Sequence, residues 1–100
     1  MDGFHIAKLD EVIHGRVRLG IMAFLSSAGS ADFNTLKAHL ETTDGNLSVH
    51  MRKLEEAGYV AIDKRIVARK TLTTAKITRE GRAAFHRYLD AIAKLVEQQT

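Results

Sequence analysis

The chain has no cysteine, no proline and no tryptophan in its 100 residues. Without cysteine there can be no disulfide, no thiolate-bound zinc, no iron–sulfur cluster and no thiol nucleophile. Without proline nothing rigid interrupts a helix, and the wealth of Ala, Leu and Lys leans the composition toward helix. No apolar run approaches the ~20 residues of a membrane span, so no membrane partner is expected. The first residues, Met1-Asp2-Gly3-Phe4-His5, lack a basic stretch followed by an apolar one, so no secretory signal is expected. Gly-rich phosphate loops, Ser or Cys nucleophile motifs and paired catalytic carboxylates are missing as well. The expectation is therefore no enzyme, no catalytic residue and no cofactor. His5, His14, His39 and His86 do not fall into a zinc-ligand spacing such as HxxxH, so no metal site is expected either.

What is present suits one folded body. Hydrophobic residues make up 45% and charged residues 27%, which excludes a disordered or collagen-like chain. A chain of this length is expected to form a single domain, 1–100, with one core and no separate effector domain.

The formal net charge is only +3, but its distribution is uneven. Residues 1–43 carry four basic and five acidic groups. Residues 44–76 carry seven basic groups (Arg52, Lys53, Lys64, Arg65, Arg69, Lys70 and Lys76) against four acidic ones. Between Lys64 and Lys76 there are five basic residues and no acidic one. Such a local positive field attracts polyanions whatever the total charge, although short basic clusters also occur on plain solvated hairpins.

The hydrophobic spacing predicts five helical segments and one strand pair. Ile6, Leu9, Val12 and Ile13 predict a first helix over about 4–13, within an N-terminal helical region 1–14. Val17, Ile21, Phe24, Leu25 and Ala28 predict a second over 15–28, ended by Gly29 as C-cap. Asp32 is an N-cap for a third, through Phe33, Leu36 and Leu40. Thr43 or Asp44 caps a fourth, within 43–58, that buries Leu47, Met51 and Leu54 and ends at Gly58. Its other side shows Asn46, Ser48, Val49, His50, Arg52 and Lys53. Residues 59–77 predict a hairpin: Tyr59–Ile62 as one strand, Leu72–Ile77 as the other, and Lys64–Thr71 as the turn. Thr78 caps a last helix, 78–98, with Phe85, Tyr88, Leu89, Ile92, Leu95 and Val96 as its apolar stripe. That stripe is too short for a lone coiled coil and needs a partner surface.

This order describes a mainly α fold with a β-hairpin wing: a winged helix-turn-helix. Helix 43–58 keeps one face in the core and turns the other to solvent. An α-helix fits the major groove of B-DNA, where each base pair shows its own donor and acceptor pattern. Asn46, Ser48 and His50 are expected to reach base edges or phosphates, and Arg52 and Lys53 to face phosphates. Lys64, Arg65, Arg69 and Lys70 of the hairpin would lie on the neighbouring backbone or minor groove. Arg16 and Arg18 are expected to lie in solvent, and Tyr59 to pack rather than stack on a base. The terminal stripe Phe85–Val96 can either pack back onto its own core or pair with a second chain; its length and the apolar side of the first helix favour a homodimer through Ile6, Leu9, Ile13, Phe85, Tyr88, Leu89, Ile92, Leu95 and Val96. A twofold dimer implies a pseudo-palindromic operator. The alternative is a winged-helix protein–protein interaction module. It would favour an apolar or acidic outer face on residues 46–53, and the face here is mostly polar and basic.

Residues 43–60, Thr-Asp-Gly-Asn-Leu-Ser-Val-His-Met-Arg-Lys-Leu-Glu-Glu-Ala-Gly-Tyr-Val, resemble the recognition helix and first wing strand of small MarR/ArsR-like winged-helix transcriptional regulators. They are especially similar to a prokaryotic subgroup with a TDGNLSxHxxKLEEAGYV signature. The likeness extends weakly from residue 9 to about 95. The resemblance implies a cytoplasmic regulator, nucleoid-associated when bound, that grips operator DNA as a symmetric homodimer through its first and last helices. It implies that Asp44, Asn46, Ser48, Val49, His50, Arg52 and Lys53 face the groove and that Lys64, Arg69 and Lys70 sit on the wing. It names no small-molecule effector. The sequence departs from the subgroup at Thr71-Leu72 and Ala75, which leaves the conformation of the wing, and whether Leu72 is exposed on it, undetermined by the resemblance.

Overall fold

The computed structural model describes residues 9–98. The elements are α1 (Arg16–Ala28), β1 (Ser30–Asp32), α2 (Phe33–Leu40), α3 (Asp44–Glu56), β2 (Val60–Val67), β3 (Lys70–Ile77) and α4 (Arg79–Gln98). Three helices and the sheet enclose a core of Ile21, Met22, Leu25, Leu36, Leu47 and Leu54, each 0% exposed. The predicted caps are in place. The Asp32 carboxylate accepts the Thr35 N–H at 2.8 Å, and the Thr43 hydroxyl accepts the Asn46 N–H at 3.2 Å. The Thr78 hydroxyl accepts from Gly81 N–H at 2.9 Å and donates to the Gly58 carbonyl at 2.6 Å. Each cap satisfies an orphan donor of the first helical turn. The start of α4 also sits tight on the hairpin base: a Cβ on Gly81 would lie 2.0 Å from the Tyr59 carbonyl oxygen.

The predicted first helix needs correction where it is described. Its residues 4–8, with Ile6, lie outside the described residues, but 9–15 form turns, not helix. The Asp10 carboxylate takes the N–H groups of Val12 and Ile13 at 2.8 and 3.4 Å, offering the backbone an alternative to a helical ladder. Gly15, at φ 153° and ψ 147°, then stands in a conformation open to glycine and separates this turn from α1. The turn is fastened on three sides. Tyr59 donates its hydroxyl to Asp10 at 2.5 Å, the Tyr88 hydroxyl meets His14 Nδ1 at 2.6 Å, and Leu9 and Ile13 are buried. Burial, with the bond to Asp10 as a second cause, pushes the Tyr59 hydroxyl up to about 12. Tyr59 thus packs, as expected.

Two features of the sheet went unpredicted. β1 pairs antiparallel with β3, giving the order β1-β3-β2. Its three residues carry no strand pattern of their own; the bend at Gly29 and the Ile77 N–H bond to the Gly29 carbonyl at 3.1 Å bring them alongside. The hairpin, in turn, is longer and tighter than expected. The ladder runs from Val60↔Ile77 out to Val67↔Lys70, so 64–67 and 70–71 are strand. The turn is only Ala68–Arg69, at φ 51° and 67°. Both being positive is what a right-twisted two-residue hairpin asks for. Neither residue is the Asn or Gly that signals such a turn, which is why the sequence concealed it.

The apolar stripe of α4 also divides differently from its prediction. Phe85 and Tyr88, with Leu9 and Ile13, are at most 7% exposed and belong to the chain's own core. They therefore leave the expected dimer surface: with α1 beside them, their burial is complete within one chain. Leu89 is 46% and Val96 59% exposed, and Ile92 and Leu95 are half-buried.

Candidate nucleic-acid interface

α3 rotates by roughly 100° per residue, so Leu47, Met51 and Leu54 share one line, and all three are buried. The opposite line carries Gly45, Val49 and Glu56. Arg52 and Ser48 flank it toward the sheet; Lys53, Asn46 and His50 flank it toward α1. All of these are exposed except His50, which is half-buried. The expected groove residues other than His50 thus lie on the outward side of one helix. Asp44 is exposed there too, and its carboxylate pairs with Lys37 of α2 at 2.8 Å. That pair ties the start of α3 to α2 and offsets a negative charge at the proposed surface.

The wing adds to the same side. Alternation along β2 puts Val60, Ile62, Lys64 and Ile66 on one face and Ala61, Asp63, Arg65 and Val67 on the other. Val60 is buried and Ile62 half-buried, so Lys64 follows them on the core-facing side. A groove of about 170 Å³ runs between α3 and the sheet, lined by Ser48, Met51, Arg52 and Glu55 from the helix and Ile62 and Lys64 from the wing. Lys64 therefore joins Ser48 and Arg52. Arg65 does not: it stands on the outer face, where its Nε and Nη2 donate to Asp63 at 3.0 and 2.9 Å. Arg69 and Lys70 are exposed at the tip. Leu72, whose exposure the sequence left open, is 40% exposed, and Ile66 and Val67, at 79% and 51%, join it as apolar groups on the wing.

On the other flank the structure assigns a role that sequence reasoning missed. Arg18, expected in solvent, is half-buried and donates from Nη1 to His50 Nδ1 at 3.1 Å. A guanidinium only donates, so Nδ1 is the acceptor and the ring proton sits on Nε2. Burial, then the charges of Arg18 and Lys53, lowers the His50 pKa below its usual 6.5. His50 is consequently a neutral imidazole near pH 7 with one defined N–H donor. Only Arg18's place between the buried Val17 and Ile21 hinted that it borders the core. Beside this pair a hollow of about 450 Å³ is lined by Glu11, Val12, Arg18, Lys53, Glu56 and Ala57. Among the described residues no group of three or more His, Asp or Glu side chains could hold a metal ion. None of the described helices is long and apolar enough to cross a membrane.

Known proteins are similar to this chain in sequence or in fold. An uncharacterized protein of Methanocaldococcus jannaschii is 40% identical over 85 residues, covering 85% of this chain and 92% of that one. The structure of a transcriptional regulator homologue from Pyrococcus horikoshii superposes with a TM-score of 0.83 at 32% identity, covering 90% of this chain and 89% of the other. Regulators of the MarR and ArsR families share the fold. The MarR-family protein of Silicibacter pomeroyi, at 18% identity and TM-score 0.66, covers 87% of this chain and 58% of its own. Residues 17–96 match the family model described as Winged helix DNA-binding domain. With a matched helix-turn-helix, a hairpin wing and a family of DNA-binding regulators rather than enzymes, the chain belongs to the winged helix DNA-binding domain family.

Proposed function

We propose that the protein is a sequence-specific transcriptional regulator that binds double-stranded DNA as a homodimer on a pseudo-palindromic operator. One observation carries the DNA surface: Asn46, Ser48, Arg52 and Lys53 are exposed on the outward half of α3, and the exposed Lys64 of the wing lines the groove beside Ser48 and Arg52. Hydrogen-bonding groups on the helix suit base edges, and cations on both elements suit the phosphates beside them. Arg69 and Lys70 extend the same field at the wing tip; Arg65, held by Asp63, contributes less. The dimer rests on Leu89 and Val96, which the chain's own core leaves exposed, and on Ile92 and Leu95, which it covers only in part. Two copies related by a twofold axis would present α3 helices about 34–36 Å apart, one turn of DNA. Such a regulator works where its DNA lies, in the cytoplasm.

Affinity for a duplex selected by the protein, measured against salt, tests this. Log affinity should fall linearly with log salt, at about −0.9 per neutralised phosphate, and a scrambled duplex should bind far more weakly. Light scattering should give twice the chain mass at micromolar concentration. The exposed Ile66, Val67 and Leu72 of the wing favour the second reading, a protein-docking module. Salt-insensitive, sequence-indifferent behaviour toward DNA would support it instead.

A further inference from the structure

We infer that the outermost line of the first two turns of α3, Gly45 and Val49, reads the methyl groups of thymine in the major groove. This rests on the DNA-binding reading above and adds what the helix selects. Gly45 and Val49 are one turn apart and lie within roughly 30° of the direction opposite the buried stripe, so they are the foremost groups of the half of the helix that leads into a groove.

Neither residue belongs to the core cluster or is among the hydrophobics packed against it. A Cβ at Gly45 would meet nothing within 4 Å, so packing does not demand glycine, and glycine weakens a helix relative to alanine. Val49 is 51% exposed, and a β-branched side chain gives up rotamer freedom in a helix. A glycine that no packing demands and a half-exposed β-branched residue, side by side and outside the core cluster, mark a surface kept for something outside it.

The chemistry of that surface is narrow. It is smooth, uncharged and apolar, and it offers no side-chain hydrogen bond. Among the features that base pairs show in the major groove, the C5 methyl of thymine is the apolar one. Gly45 lets the backbone come close, and Val49 supplies two methyl groups to meet it. Asn46 and Ser48 flank the strip for hydrogen bonds, and Arg52 and Lys53 stand one turn further along, roughly 50° to either side, aimed at the groove walls. Glu56, at the far end of the same line, is repelled by phosphate and keeps the C-terminal half of the crest from entering.

The experiment uses the full chain and duplexes that it selects from a random library, resynthesised with deoxyuridine replacing thymidine one position at a time. That change removes the methyl and leaves base pairing and O4 intact. At one thymine in each half-site the wild-type affinity should drop about fourfold, the worth of one buried methyl. Val49→Ala, whose fold is checked by circular dichroism, should bind the thymine duplex more weakly and lose nothing further on the uracil one. Gly45→Ala should melt a few degrees higher than wild type yet bind at least several-fold more weakly. Indifference to uracil at every position, a selected site without thymine in the half-site, or full uracil sensitivity in Val49→Ala would overturn the inference. Unchanged binding by Gly45→Ala would overturn the close approach at that residue. If the wild-type chain instead selects no duplex at all, it is the DNA-binding reading that fails.

Discussion

α3 and α4 are both amphipathic, but they resolve their apolar faces differently. α3 spends all of its large apolar side chains but Val49 on its own chain: Leu47, Met51 and Leu54 are buried, and its outward side is mostly polar and basic. α4 does this fully only as far as Tyr88 and in part at Ala91, Ile92 and Leu95. Ala84, Phe85 and Tyr88 reach the core, whereas Leu89 and Val96 remain 46% and 59% exposed. A helix whose apolar needs are met can present hydrogen bonds and charge to a polyanion. One whose needs are half met asks for another apolar surface. On the proposed function, the contrast separates a nucleic-acid face from a self-association face on one small chain.

Core substitution sharpens the contrast most. Leu47→Ala, at a fully buried position, should cost about 2–5 kcal/mol of unfolding free energy, read by chemical denaturation. Leu89→Ala in α4 should change the unfolding of a dissociated chain by less than about 0.5 kcal/mol, as exposed positions do. Equal losses would erase the distinction. Next in size is Asn46→Ala, expected to weaken the selected duplex by about 1–3 kcal/mol if the amide holds a base edge. Lys70→Ala, in contrast, should weaken all duplexes alike and reduce the salt slope by about one. Replacing both Leu89 and Val96 with Glu should leave a folded monomer by light scattering; a persistent dimer would relocate the interface.

Much of the fold was legible because its signals are local. Asp32, Thr43 and Thr78 cap through their own side chains, and the α3 stripe needs only the helical period. What escaped was decided between distant elements or by competing local bonds. β1 exists because a bend delivers three residues to the β3 edge. The two-residue turn at Ala68–Arg69 carries none of the residue types that advertise positive φ, although the β-branched Ile66, Val67 and Thr71 hinted at longer strands. Leu9 and Ile13 have helical spacing, but the Asp10 side chain captures the backbone first. At the candidate site, the identities and outward direction of Asn46, Ser48, Arg52 and Lys53 could be read from periodicity. The Arg18–His50 contact spans 32 positions and could not. Strand alternation could have set Arg65 apart from Lys64, had the strand been extended that far.

The smallest expected effect concerns His50. Its pKa is depressed in the folded chain by burial and by Arg18 and Lys53, so the unfolded chain binds more protons just below pH 6.5. The stability tied to its neutral form is complete above pH 6.5 and is lost as pH falls through the lowered value. Arg18→Met should move the His50 titration, followed by NMR, upward toward 6.5 and flatten that dependence. An unmoved titration would remove Arg18 as a cause.

The most direct test of the division between α3 and α4 is an amide chemical-shift map of the full chain titrated with its selected duplex. The largest changes are expected at Asn46, Ser48, Val49, Arg52 and Lys53 in α3 and at Lys64, Arg69 and Lys70 in the wing, with Leu89 to Val96 little moved. Changes concentrated on α4 or on the Arg65 face of the hairpin, with α3 silent, would contradict the account.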